Sequence, residues 1–232
     1  MQNELTVKLS KEEIQKYNKG FYAGRNKIFA EMLGRNTKGV KKRIFEFAGS
    51  GGFLAKEILD NVSDIEFYHH SDGNSDMVRH AENLLNYPNC KISIIDMEND
   101  EVHWNDYNVF ISISMEHLGN DIEIIKNIPE GSYVLFCLPN FGGGFGNHYF
   151  HALHMEDVIF RYGRYIDFIE WSKIDGGEGT SRLYMLYKWF LGKTGLPLYD
   201  YLVKPSRKII FMGVKKHICF KGSEIGSKGT SA

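Results

Sequence analysis

The chain has 232 residues, 43% of them hydrophobic, with 28 basic against 29 acidic side chains and a formal net charge of -1. A chain of this length forms one ordinary domain whose core buries roughly three-quarters of the unfolded surface. So even a charge balance excludes an electrostatic case for nucleic acid or an anionic membrane as the main partner. No uncharged apolar run approaches the roughly 18 residues of a membrane span. The opening Met1-Gln2-Asn3-Glu4-Leu5 lacks the basic start and apolar stretch of a signal peptide. Cys90, Cys137 and Cys219 lie far apart with no Cys-x-x-Cys pair, which points to a reducing compartment without a disulfide framework or a zinc site. A soluble, cytoplasmic protein is expected; nothing in the sequence reads out an oligomeric state.

In chain order, Ser10 is an N-cap before the acidic turn of Glu12 and Glu13, so a helix starts near Lys11 and runs towards Gly20 or Gly24. A second helical piece over 26–33 carries Ile28, Phe29, Met32 and Leu33 on one face and ends at Gly34 and Gly39. Lys38, Lys41, Lys42 and Arg43 read as a solvated approach to the first strand, 44–47. That strand enters a glycine-rich turn and then a helix from Phe53. Glycines there let the backbone turn sharply and let a ligand reach the bare main chain. The dinucleotide fingerprint Gly-x-Gly-x-x-Gly fails, because counting from Gly49 its third glycine falls on Leu54. Glu46, just ahead of the turn, would repel a pyrophosphate and suits a cation such as an amino acid's ammonium group.

A second strand over 65–68 leads into His69, His70, Ser71 and Asp72, then a helix through Val78, Ala81, Leu84 and Leu85. Asp72 stands about twenty residues after the turn, where nucleotide-binding α/β domains place the acid that holds a ribose. The third strand starts at Cys90, alternates with period two and ends in Asp96. Glu46, Asp72 and Asp96 thus sit at or near the C-terminal ends of three strands, the edge where open α/β sheets bind ligands. A fourth strand over 107–114 runs into Met115-Glu116-His117-Leu118; a helix over 122–128, a Pro129-Glu130-Gly131 turn and a fifth strand over 132–138 follow. The glycine-rich loop 142–148 belongs at the same edge and is a candidate functional loop. His148, His151 and His154 recur every third residue without a Glu-x-x-His or Cys partner and read as scattered polar histidines, so no metal site is expected. A helix over 156–162 precedes strands over 165–171 and 182–189, which pair as an antiparallel hairpin across the 175–179 loop. Gly192-Lys193-Thr194 is no P-loop, because the required first glycine falls on Tyr187. The 197–220 stretch is mixed, apolar and basic.

An acid followed by a glycine turn at the opening of an α/β domain resembles the first motif of class I S-adenosylmethionine-dependent methyltransferases. That motif has an acid, any residue, then three glycines at alternate positions; here Ala48 and Ser50 take the first two glycine places and Gly52 the third. Asp72, Met77 and Ala81 resemble the second motif, and Glu116-His117-Leu118 followed by Asp121 resembles the segment after the fourth strand of many small-molecule members. The likeness covers about 42–150, and more loosely to 190. It implies an α/β three-layer sandwich: a mainly parallel seven-stranded Rossmann-like sheet, antiparallel in its last strand, with helices on both faces. Residues 1–40 would form a helical cap over the cofactor, with Tyr17, Tyr22 and Arg25 as lid candidates, 41–220 the methyltransferase domain and 221–232 a disordered tail. The cofactor-binding residues it implies are Glu46, Ala48, Gly49, Gly51, Asp72, Gly73, Asp96, Met97 and Ser112. Asp96 would accept from the adenine amino group and Met97 would pack on the ring. The extra acid of metal-using quinone methyltransferases would fall on Ile113, against metal dependence.

The expected activity is transfer of the sulfonium methyl of S-adenosylmethionine to an oxygen or nitrogen of a small molecule. A hydroxyl acceptor needs a base, for which His117 and His148 are the candidates. Aromatics of the second half, among them Phe141, Tyr149, Phe150, Trp171 and Trp189, are candidate lining for an acceptor pocket. Two alternatives stay open: a non-catalytic methyltransferase-like module and, against Glu46 and the missing third glycine, a nicotinamide-dependent oxidoreductase.

Overall fold

The computed structural model describes residues 20–139, 149–150, 152, 154–174 and 208–217. Seven strands form one sheet: β1 (Lys42–Glu46), β2 (Ile65–Asp72), β3 (Cys90–Ile94), β4 (Val109–Ser112), β5 (Tyr133–Pro139), β6 (Ile166–Ile174) and β7 (Lys208–Lys215). Their order is β3-β2-β1-β4-β5-β7-β6. The pairs β1–β2, β2–β3, β1–β4 and β4–β5 are parallel, while β7 runs antiparallel between β5 and β6. The chain leaves β1 to one side for β2 and β3 and returns to its other side for β4. In open α/β sheets such a reversal, here at the C-terminal ends of β1 and β4, is where ligands bind.

Among the described residues five helices accompany the sheet: α1 (Gly20–Asn36), α2 (Phe53–Asn61), α3 (Ser75–Leu84), α4 (Asp121–Asn127) and α5 (Met155–Tyr162). Successive strand residues point to opposite faces, so each face has its own core. Ile44, Ile111, Leu135 and Met212 pack with Phe29, Met32 and Leu33 of α1, Leu54 and Ile58 of α2 and Ala81 of α3. Phe45, Phe110, Val134, Phe136 and Phe211 pack on the other face with Ile124 and Ile125 of α4 and Val158 and Tyr162 of α5. The expected three-layer sandwich is therefore the observed one.

Local readings differ from the structure in three places. Gly24 and Gly34 do not stop a helix: α1 runs through both, because Phe29, Met32 and Leu33 are fully buried and tertiary packing outweighs the propensity cost. The chain turns only at Gly39, which adopts φ 75°. Lys42 is not solvated but 1% exposed, its ammonium donating to the carbonyls of Val40 and Ser63. The strand beside β6 is β7, drawn from the stretch that read as mixed; the predicted strand over 182–189 lies outside the described residues, as do the helix before Gly20, the loop 142–148, Cys219 and the 221–232 tail. Opposite a register shift in β6, a Cβ on Gly213 would meet Ile166 Cγ2 at 2.4 Å, so glycine is required for the bulge to close.

Candidate functional site

The turn after β1 takes the left-handed backbone at every second residue: Ala48 at φ 50°, Ser50 at φ 57° and Gly52 at φ 84°. These are the alternate positions at which the resemblance expects glycines, and only the last has one. The other two carry side chains in αL at a cost of about 1–2 kcal/mol each. Bonds at Ser50 and on either side of Ala48 offset that cost. The Ser50 N–H donates to Asp72 Oδ2 at 2.7 Å, and His70 Nε2 lies 3.0 Å from the Ser50 carbonyl. The Gly49 N–H donates to the Ser71 carbonyl, and the Ser71 hydroxyl to the Glu46 carbonyl. Hydrogen bonds to charged groups are worth about 1.5–3 kcal/mol each, enough to outweigh the strain.

Gly49 and Gly51 are glycines for a different reason, close approach. A Cβ on Gly49 would stand 2.6 Å from His70 Cε1 and 2.7 Å from Glu46 Cδ. One on Gly51 would stand 3.0 Å from Nδ1 of His80, whose ring contacts the Gly51 carbonyl.

Beneath the turn lies a fully buried acid–base pair. Glu46 and His70 are register partners on β1 and β2, both 0% exposed, with Nδ1 2.6 Å from Oε2. The Tyr68 hydroxyl donates to the same oxygen at 3.1 Å. Glu46 Oε1 is buried and accepts no hydrogen bond. Burial by itself pulls the His70 pKa down, but the charge of Glu46 and the bonds to Glu46 and Ser50 outweigh it and raise it above the ordinary value. The neighbouring His69 faces the opposite side of the sheet and behaves oppositely. Burial, then the nearby charges of Lys91 and His70, lower its pKa to about 4, and its ring bonds to Tyr107 and Ser93.

The remaining candidates are drawn in around this centre. Asp72 Oδ1 accepts from the Asn74 N–H at 2.9 Å, and Asn74 in turn caps α3. Gly73 lies against the segment that follows the third strand, its Cβ position 3.7 Å from the Ile95 carbonyl and 3.9 Å from Asp96 Cα, in ordinary contact. Asp96 sits in an exposed turn just after β3, its carboxylate accepting from the Glu98 N–H and the Asn99 amide; the Asn99 bond leads in holding its pKa below the usual value. Met97 is 8% exposed and belongs to the core on the α4 face. Glu98 Oε1 accepts from the Gly119 N–H, and Asn120 donates to the Met97 carbonyl, tying this turn to the loop after β4. Ser112 is buried at the end of β4, its hydroxyl accepting from the Ser114 N–H. His117 is exposed on a short 3-10 turn (Met115–His117) of the same loop, so the structure brings it to the same edge. His148 lies outside the described residues.

Three residues of this edge were not among the expected site residues. His70 is legible only once the β1–β2 register is known. Glu116 is 2% exposed, with Oε1 3.2 Å from Lys208 Nζ and Oε2 unpartnered. Lys208 opens β7 opposite Pro139, at the C-terminal end of β5. Arg25, expected as a lid, is 3% exposed, bonds to Asn26 and lies over the Tyr22 ring at 5.2 Å. Tyr149 and Trp171 are exposed rather than lining a pocket, and Phe150 lies under Arg161 at 4.3 Å. Burial pushes the thiols of Cys90 and Cys137 up to about 12 and about 11, which leaves neither a ready nucleophile.

The fold is shared with solved methyltransferase structures. A complex from Haloferax volcanii of the Trm112 methyltransferase activator with a candidate methyltransferase superposes with a TM-score of 0.64 at 9% identity, covering 94% of this chain and 100% of that one. The N-methyltransferase NodS of Bradyrhizobium japonicum, bound to S-adenosylhomocysteine, gives 0.63 at 9% identity, over 90% and 95% of the two chains. Phosphoethanolamine N-methyltransferase 2 of Haemonchus contortus, bound to phosphomonomethylethanolamine and S-adenosylhomocysteine, gives 0.60 at 16% identity, over 91% of this chain and 58% of that longer one. At such identities the likeness is one of fold. No protein-family model and no curated protein sequence matches the chain.

Proposed function

We propose that this chain binds S-adenosylmethionine at the C-terminal edge of β1–β3 and transfers its methyl group to an oxygen or nitrogen of a small molecule. The observation that carries the reading is Glu46: a buried carboxylate with one oxygen lacking any donor, under a turn whose backbone is stripped of side chains at Gly49 and Gly51. An α-ammonium group supplies the missing donor. Ala48, Gly49 and Gly51 would border the amino-acid end of the cofactor. Asp72 has spent one lone pair on each oxygen within the chain; a carboxylate offers about four such sites, so two remain for the ribose hydroxyls. Gly73 would border the cofactor beside Asp72, and Asp96, Met97 and Ser112 would border the base.

When bound, the cofactor supplies an activated methyl group. What falls to the protein is to hold the acceptor in line, an effect that reaches roughly 7–11 kcal/mol in favourable cases. For a hydroxyl acceptor, His117 or His148 would take the departing proton; an amine acceptor needs no such base. The second reading, a methyltransferase-like module without turnover, draws on Ala48 and Ser50 in place of glycines.

Calorimetric titration with S-adenosylmethionine and S-adenosylhomocysteine, with NADH and NADPH as controls, tests the cofactor. Micromolar binding of the first pair alone is expected; uptake of NADH instead refutes the reading, and no uptake at all favours the module. Methyl-acceptor screening with His117→Ala and His148→Ala follows, and undiminished turnover of a hydroxyl acceptor by the double variant removes the general base.

A further inference from the structure

The hydrogen bonds around His70 determine where its protons lie. Nε2 faces the Ser50 carbonyl, which can only accept, so this nitrogen carries hydrogen. Nδ1 faces Glu46 Oε2, so a second proton lies between ring and carboxylate. Tyr68 already donates to that oxygen, which favours the carboxylate and hence the ring protonated on both nitrogens. The ring also fills the space that a Cβ on Gly49 would need, so glycine at 49 and histidine at 70 fit as a pair. Directly above, two residues with side chains hold left-handed backbone, and one of them, Ser50, is gripped at its N–H by Asp72 and at its carbonyl by His70.

We propose that His70 is a positioning residue for the cofactor turn: by donating to the Ser50 carbonyl and to Glu46 together, it holds Ala48 and Ser50 in the backbone that glycines would adopt freely and aims Glu46 Oε1 at the ligand. A glutamine in its place reaches Ser50 or Glu46 but not both. The effect on cofactor affinity rests on the methyltransferase reading; the effect on the turn does not.

The test compares His70→Gln in two backgrounds, the natural turn and a relieved turn carrying Ala48→Gly and Ser50→Gly. Three readouts are taken: thermal unfolding without ligand, calorimetric affinity for S-adenosylhomocysteine, and the ring 15N shifts of His70 in the unaltered protein at pH 7. In the natural turn, His70→Gln is expected to lower Tm by roughly 5–10 °C, the scale of a lost buried contact in a chain of this size. It is also expected to weaken binding about tenfold or more, the loss of one charge-assisted hydrogen bond. In the relieved turn both effects should shrink by half or more, and the 15N spectrum should show hydrogen on Nε2. Equal Tm losses in the two backgrounds overturn the proposal, because a merely structural core histidine would give that result. A ring with bare Nε2 overturns it even where the variants fail to fold. If the unaltered protein takes up no S-adenosylhomocysteine, the cofactor half falls with the methyltransferase reading, while melting and 15N shifts still decide whether His70 holds the turn.

Discussion

Gly49→Ala should be among the most damaging single-methyl additions in this protein. The new Cβ would lie 2.6 Å and 2.8 Å from two atoms of the His70 ring and 2.7 Å from the Glu46 carboxyl carbon, where 3.4 Å begins ordinary contact. Neither neighbour can yield cheaply: both are fully buried, and each is bonded to the other and to the turn or strand around it. Overpacking a core costs about 1–3 kcal/mol. Prising apart a buried ion pair costs up to about 3–5 kcal/mol. A net loss of about 3–5 kcal/mol corresponds to a fall in Tm of roughly 6–20 °C for a chain of this length. Thermal and urea unfolding followed by circular dichroism measure it. The same substitution at Gly24 and Gly34 of α1 provides the internal control, because a Cβ there meets nothing within 4 Å. Each should raise stability by about 0.8–1 kcal/mol through helix propensity alone. A Gly49→Ala protein melting within about 2 °C of the unaltered one would refute the packing argument, since it would show that the turn relaxes without disturbing His70.

Asp72→Ala removes the acceptors of the Ser50 and Asn74 N–H groups as well as the proposed ribose contact. It should weaken S-adenosylhomocysteine binding at least about tenfold, the equivalent of one charge-assisted hydrogen bond, as calorimetry would read. Asp121→Asn removes the negative charge and one of the two carboxylate oxygens that accept the paired bonds from Arg161 and the bond from Tyr162, loosening the tie between α5 and the start of α4. With Arg161 about a third exposed, the cost should be about 2–3 kcal/mol in urea unfolding, below the full price of a buried pair. The two adjacent histidines set opposite pH limits. His70, with its pKa raised and Glu46, Tyr68, Asp72 and Cys90 around it, contributes stability that is complete below pH 6.5 and lost as pH climbs through its raised value. His69, lowered to about 4 beside Lys91, Tyr107 and Ser93, contributes stability present above pH 6.5 and lost as pH falls towards 4. Urea midpoints measured across pH 4–9 should therefore peak near 6.5; removing His70 should abolish the alkaline fall and leave the acid one, and a profile unchanged by that removal would contradict the assignment.

Local chemistry was sufficient for much of this protein. The strand–turn–helix around Gly49, the acids Glu46, Asp72 and Asp96 at successive strand ends, and the short apolar runs that mark β1 to β5 are all properties of short stretches, where side-chain period and backbone preference act over a few residues. Those local signals placed most candidate cofactor residues along one sheet edge before any contact was known. Tertiary structure decided what lies further apart. α1 runs through two glycines because its buried face packs on the sheet, a gain invisible in propensity. β7, KIIFMGVK, is buried on both faces and so has no alternation to betray it; only its insertion between β5 and β6 identifies it as a strand. The pairs Glu46–His70 and Glu116–Lys208 join residues 24 and 92 positions apart. The first forms because strand register brings the two side chains into a space closed to water, the second because the turn after β4 folds against the start of β7. Register is set by the packing of whole faces rather than by either residue, which is why the turn could be read from the chain and the histidine beneath it could not.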